Sequence, residues 1–297
     1  MKEFIYLNGK FISKKNALIP VSSNSLHYGT AVFEGIRSYK IGKRIAVFKL
    51  KEHIKRLFKS AKFMYLKPKI TEKKLISVIS LLLKKNKLTD AYIRPIIFFE
   101  GNYLLLNKID FPVSVAVMAS KQKKFFEGKK GIKLMVSSFR RTAVNKELFE
   151  VKVSGNYSVS FLAKINANKK GFDDALMLNE KNQVAEASAE NIFYVKKRIL
   201  FIPKINGILE GITRNSVIEI AKGMKLKIKE KNVKLKELLN AEEVFVTGTA
   251  AGIVSVKQIN KKKFKLKKNS VTEKLIHEFE LIIHGKNQDY LKWLEFV

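Results

Sequence analysis

The sequence predicts an α+β protein built as two domains, and three observations carry that prediction. Strand-like and helix-like segments mix without the regular strand–helix–strand repeat of a doubly wound sheet. The chain has 297 residues, more than one small core usually organises. Periodicity also lapses once, at "SKQKKFFEGKKG" (120–131), where charge and glycine replace the apolar pattern. The expected division is a smaller N-terminal α/β domain over 1–120, a connecting loop over 121–131 and a larger C-terminal domain over 132–297.

The elements follow in order. "FIYL" and "KFIS" flank Asn8-Gly9, the dipeptide of a tight hairpin turn. "HIKRLFKSAKFM" (53–64) sets Ile54, Leu57, Phe58, Ala61 and Met64 on one helical face. "TEKKLISVISLLLKKNK" opens on Thr71, a residue suited to cap a second helix. "AYIRPIIFF" and "VSVAVMA" read as strands. Past the loop come a strand "IKLMVSS", a helix over "GNYSVSFLAKINANKKG" that ends at Gly171, and a strand "DALML". Strands "NIFYV" and "RILFI" precede a helix from "TRNSVIEIAKGM". Strand "EVFVTG" then runs into the turn "TAAG", and "TEKLIHEFELIIHG" is a late amphipathic helix.

Composition narrows the classes of function. A hydrophobic share of 46% is too high for a disordered chain. No apolar run reaches the ~20 residues that span a bilayer, since "LISVISLLL" is closed by Lys84 and Lys85. "MKEFIYLNGK" lacks the apolar core of a signal peptide, so the cytosol is the expected compartment. With no cysteine there is no disulfide, thiolate zinc site or cysteine nucleophile. His27, His53, His277 and His284 form no i,i+4 pair, and no metal is expected. The net charge of +33 raises nucleic acid as a partner. The excess is lysine spread along the chain, dense only at "KKKFKLKK" (261–268), and arginine is scarce beside it. It reads as solvated surface, and no nucleic-acid partner is expected.

"LFEVKVSGNYSVSFLAKI" (148–165) sets Lys152 in an apolar-flanked segment just before Ser-Gly-Asn-Tyr. Lysines among apolar neighbours usually snorkel to water, but a lysine held in such a place can serve as an amine reagent. Three further segments end strands or open helices with small polar residues. "GITRNSVIEIAKGM" starts a helix whose free N–H groups suit a phosphate, although taken alone the segment reads first as an ordinary helix start with Thr213 as N-cap. "VTGTAAG" turns tightly at Thr249 and Ala250. "NQVAEASAENIFYV" carries Glu186 and Glu190 among small residues.

Taken with "YLNGKFI", "HYGTAVFEGIRSY", "HIKRL", "AYIRPIIF", "KVSGNYSVS", "VAEASAENIF", "LEGITR" and "VTGTAAGI", in that order, the chain resembles the fold-type IV pyridoxal-phosphate enzymes. It resembles most closely the branched-chain amino acid aminotransferases. The resemblance implies pyridoxal 5'-phosphate as cofactor, joined as an imine to Lys152, whose released amine then carries a proton between the substrate Cα and the cofactor. Positioned acid–base groups of this kind contribute roughly 10²- to 10⁴-fold. Glu186 would face the pyridine nitrogen, where a carboxylate near 4 Å is worth roughly 4 kcal/mol at an effective dielectric constant of about 20. Glu190 matches the family's supporting carboxylate, and Tyr157 the residue that bonds the phenolic oxygen.

By the same resemblance Arg56, the hydroxyls of Thr213 and Thr249 and the backbone at Ile212 would hold the phosphate. In a strand Tyr92 and Arg94 share a face. The resemblance gives the α-carboxylate to Tyr92 and the Thr249–Ala250 turn, and the distal carboxylate of glutamate to Arg94. Tyr28 from a partner subunit, Phe33 and Tyr157 would line the side-chain pocket, so a homodimer or larger homo-oligomer is expected. The expected reaction is reversible amino transfer between leucine, isoleucine or valine and 2-oxoglutarate. A D-amino acid transaminase or a 4-amino-4-deoxychorismate lyase of the same fold is the first alternative. A basic binding protein on a dead enzyme scaffold is the second, and it predicts loss of Lys152 or Glu186, both of which are present. One departure stands out. The lid loop reads "SKQKKFFEG" without the family's tryptophan, Gln122 and Lys123 make it more polar, and Phe125 or Phe126 is left to supply the aromatic wall.

Overall fold

The computed structural model describes every residue except 1–2, 102–103, 105, 107–111, 142–145 and 206, and of residue 146 the backbone alone. The chain divides into two compact units, both mixing helix and sheet.

The first unit comprises Met1–Gln122, Val151–Asn156 and Ile283–Val297. Its eight-stranded sheet runs Leu294–Phe296, Arg44–Phe48, Ile36–Ile41, Ala91–Phe99, Val113–Ser120, Phe4–Leu7, Lys10–Ser13, with Val32–Phe33 added on Ala91–Phe99. Every pairing in it is antiparallel. The Asn8-Gly9 hairpin forms as its sequence predicts, with Leu7 opposite Lys10. Helix Leu50–Phe63 buries Ile54, Leu57 and Ala61, three of the five residues on the expected face. Helix Glu72–Lys85 begins where Thr71 accepts the backbone N–H of Lys74 at 3.2 Å, the capping bond its sequence suggested. Along Ala91–Phe99, Ala91, Ile93 and Ile97 are buried while Tyr92 and Arg94 lie half-buried on the opposite face.

The short segment Val151–Asn156 belongs with this unit, although the lapse at 120–131 had put all of 132–297 in the second domain. Backbone pairing explains the difference. Phe33 donates to the Lys152 carbonyl at 3.1 Å, Ser154 to Ala31 at 2.8 Å and Gly155 to Gly29 at 3.0 Å. Val32 and Val153 form an isolated antiparallel bridge. A bridge this short carries no periodicity for a sequence reading to detect.

The second unit, Lys123–Glu150 and Tyr157–Ile282, is built on a nine-stranded mixed sheet. Its order is Val184–Ala187, Asp174–Asn179, Ile132–Arg141, Gly252–Ile259, Glu243–Gly248, Asn191–Lys196, Ile199–Pro203, Lys227–Lys231, with Lys262–Lys263 beside Gly252–Ile259. Leu134, Leu176, Ile192, Val246 and Val256 lie at the centre of its main core. Helix Tyr157–Lys169 seats Ala163 and Ala167 against Met135, Ala175 and Met177. Its other side leaves Phe161 and Leu162 exposed. No helix among the described residues is long and apolar enough to cross a membrane.

Candidate active site

In the first unit the site grows from one face of helix Leu50–Phe63. His53, Arg56 and Ser60 fall one turn apart, as i,i+3 and i+4 spacing requires. Below them lies Glu34, fully buried. Its two carboxylate oxygens accept from Arg56 Nε at 2.6 Å and Arg56 Nη2 at 2.9 Å. His53 Nδ1 lies 2.8 Å from Glu34 Oε2. Burial alone would raise the Glu34 pKa, but the Arg56 charge and the hydrogen bonds from Arg56 and His53 outweigh it and hold the carboxyl well below the usual carboxylate range. Burial takes His53 the other way, below its ordinary value, although Glu34 opposes the change. The imidazole is therefore neutral at pH 7. Facing an ionised carboxylate, it carries its proton on Nδ1 and donates it.

Ser60 closes the face by accepting the backbone N–H of Lys152 at 3.1 Å. Lys152 is thus held on both sides, its N–H by Ser60 and its carbonyl by Phe33. The Lys152 Nζ lies 4.8 Å from the Phe33 ring centroid, and the Arg94 guanidinium carbon lies 4.4 Å from that centroid. Arg94 Nη2 donates to the Tyr92 hydroxyl at 2.6 Å, while its buried Nε has no hydrogen-bond partner among the described residues. Gly35 makes room for Tyr92, because a Cβ there would collide with the phenol oxygen. Tyr28 is 41% exposed, and its hydroxyl donates to the Leu104 carbonyl at 3.1 Å.

In the second unit the two carboxylates of "VAEASAEN" behave differently. Glu186, buried on strand Val184–Ala187, forms an ion pair with Arg141 at 2.8 Å. Arg141 also reaches the Ser160 hydroxyl at 2.6 Å and the Ser188 carbonyl at 3.2 Å. Glu190 is buried as well, and burial followed by the Asp174 charge pushes its pKa up to about 8, against the pull of Lys164. Of the two, Glu186 is the carboxylate with an arginine beside it, and Glu190 holds its proton at pH 7. The buried hydroxyls of Ser188 and Thr247 have no partner among the described residues.

Helix Ile212–Gly223 starts from Gly211, whose extended backbone provides the N-cap with no side-chain hydrogen bond. Thr213 is buried inside the first turn, so the simpler reading of Thr213 as N-cap fails. A side chain at 211 would strike Asn191 Oδ1, so only glycine fits there. Thr249 and Ala250 form the half-buried turn after strand Glu243–Gly248, and the Ala250 carbonyl accepts from Phe125 N at 2.9 Å. Tyr157 is half-buried at the head of its helix. Phe126 packs on the main core of this unit. Phe125, 39% exposed beside the Ala250 turn, is the one of the pair available to a ligand.

Each unit therefore gathers its own set. Phe33, Arg56, Tyr92, Arg94 and Lys152 come together in the first, with Tyr28 set apart on the surface. Tyr157, Glu186, Ile212, Thr213, Thr249 and Ala250 belong to the second. The sequence reading gave no role to Glu34, His53 or Arg141. Glu34 sits inside the quoted "FEGIR", and the i,i+3 spacing of His53 and Arg56 was the one signal that could have drawn attention to that pair.

The profile of the family described as amino-transferase class IV matches residues 31–259, and the chain belongs to that family of enzymes. The probable branched-chain-amino-acid aminotransferase of Aquifex aeolicus is 36% identical over 298 residues, covering 98% of this chain and 96% of that protein. A branched-chain aminotransferase from Thermoproteus uzoniensis, crystallised with norvaline, superposes with a TM-score of 0.95 at 34% identity, covering 100% of this chain and 99% of that one. The T.th. branched-chain amino acid aminotransferase complexed with N-(5'-phosphopyridoxyl)-L-glutamate gives 0.94 at 36%, covering 99% and 98%.

Proposed function

We propose that this aminotransferase, acting in the cytosol with pyridoxal 5'-phosphate, reversibly transfers the amino group between leucine, isoleucine or valine and 2-oxoglutarate. One observation carries the reading. A lysine amine and an arginine whose Nε has no partner among the described residues lie against the same Phe33 ring, which sets an amine reagent close to a carboxylate receptor and an apolar wall. The residues present fit the cofactor. In the second unit, the first turn of helix Ile212–Gly223 has no side-chain cap and offers N–H donors suited to a phosphate, and in the first unit Arg56 has the matching chemistry. The arginine-paired Glu186 offers an ionised acceptor for a pyridinium N–H.

Bound there, the cofactor supplies the electron sink that lets a Cα–H bond break. Lys152 would hold the cofactor through its amine and, once released, move the proton at Cα. Glu186 would keep the ring nitrogen protonated, with Arg141 fixing its position. Tyr157 would bond the phenolic oxygen. Arg56, Thr213, Thr249 and the backbone of Ile212 would bind the phosphate. Tyr92 with the Thr249–Ala250 turn would take the α-carboxylate, and Arg94 the second carboxylate of glutamate. Phe33, Tyr157 and the partner's copy of Tyr28 would meet the aliphatic side chain.

We further propose a homodimer. The exposed Leu18, Ile19, Val21 and Leu26 of the first unit give it an apolar face to bury. The named relatives and superposed structures favour a branched-chain substrate over the D-amino acid and lyase alternatives. The test is a spectral half-reaction titration with leucine, glutamate, alanine and D-alanine. Leucine and glutamate are expected to convert the cofactor band completely. Conversion by D-alanine and not by leucine would overturn the substrate assignment.

A further inference from the structure

We propose that Glu34 and His53 are positioning residues for cofactor capture, a two-part clamp that aims the Arg56 guanidinium at the phosphate. This rests on the reading above that Arg56 binds that group. An arginine is a long, flexible side chain, and its value as a phosphate fork depends on a fixed plane. Glu34 fixes it. Its carboxylate takes Nε at 2.6 Å and Nη2 at 2.9 Å, the bidentate edge that leaves one orientation of the guanidinium plane. Glu34 is itself buried, so its own rotamer must be set by protein contacts.

His53 sets that rotamer. The fully buried imidazole lies 2.8 Å from Glu34 Oε2 and, being neutral, gives it one N–H without adding a second cation. The clamp also reaches the reactive lysine. His53, Arg56 and Ser60 share one helical face, and Ser60 binds the Lys152 backbone N–H. A single helix face thus registers the proposed phosphate ligand against the amine that holds the other end of the same cofactor.

A merely structural ion pair would anchor the helix and affect every ligand alike, whereas a phosphate clamp affects only ligands that carry a phosphate. The full-length protein, freed of cofactor, is titrated with pyridoxal 5'-phosphate and separately with pyridoxal, following the bound-cofactor absorbance. Glu34→Gln should weaken pyridoxal 5'-phosphate roughly ten- to a hundredfold, the scale of a lost charge-assisted hydrogen bond, and pyridoxal by less than about threefold. His53→Asn keeps a donor where Nδ1–H stands and should bind like the parent, while His53→Leu should follow Glu34→Gln. If Glu34→Gln fails to fold, Glu34→Asp, which retracts the carboxylate by one methylene, should show the same phosphate-selective loss. Equal weakening of both ligands, or none, overturns the clamp. Arg56→Gln separates the two layers. If it too leaves the ratio of the two affinities unchanged, the phosphate reading of Arg56 fails. If it shifts the ratio while Glu34→Gln does not, only the clamp fails.

Discussion

Arg94→Gln should split the two halves of the transamination. The Arg94 guanidinium rests on the Phe33 ring with Nη2 engaged by Tyr92 and Nε without a partner among the described residues. A second substrate carboxylate arriving there gains at least one charge-assisted hydrogen bond, and each such bond contributes about 1.5–3 kcal/mol. Losing one bond corresponds to roughly a ten- to hundredfold fall in kcat/KM for glutamate. Leucine has no second carboxylate and should change by no more than a few-fold. Freeing Tyr92 also perturbs the proposed α-carboxylate site, but both substrates share that carboxylate, so its effect cancels in the ratio. Stopped-flow half-reactions with leucine and with glutamate, read from the cofactor band, give both constants on one preparation. Equal losses for the two amino acids, or an unchanged glutamate reaction, would refute the assignment of Arg94.

Gly35→Ala should push the Tyr92 phenol off its place, raise KM for leucine and glutamate together, and cost about 1–3 kcal/mol in urea unfolding. An unchanged KM would mean that Tyr92 does not contact substrate. Glu190 predicts a pH effect. With its folded pKa raised to about 8 against an ordinary 4.5, the native state holds a proton that the unfolded chain has released. Its contribution to stability is therefore complete below pH 4.5 and is lost as pH rises through 8, by at most about 5 kcal/mol. Glu190→Gln should flatten the fall in unfolding free energy between about pH 4.5 and pH 8, read by urea titration at fixed cofactor concentration. Parallel pH profiles for parent and variant would contradict the buried, protonated state.

Strongly periodic or well-capped segments were legible in the sequence. Thr71 caps its helix, Asn8-Gly9 turns its hairpin, and "AYIRPIIFF" alternates as its side chains demand. Segments whose structure comes from neighbours were not. Lys227–Lys231 ("KIKEK") has no apolar alternation and is a strand because it pairs in parallel with Ile199–Pro203. Val151–Asn156 joins the first unit through backbone bonds that any residues could make. The site divides in the same way. The family resemblance pointed to Lys152, Glu186 and Arg56, but the groups that hold Arg56 and Glu186 are 22 and 45 residues distant along the chain. Glu34 and Arg141 become neighbours of those residues only after the sheets have formed.

Borohydride reduction of the cofactor-loaded protein, followed by proteolysis and mass mapping, tests the central chemical claim most directly. The reductant fixes whichever amine holds pyridoxal 5'-phosphate, so a phosphopyridoxyl group is predicted on the peptide bearing Lys152 and on no other. Label on a different lysine, or undiminished label in Lys152→Ala, would contradict the account.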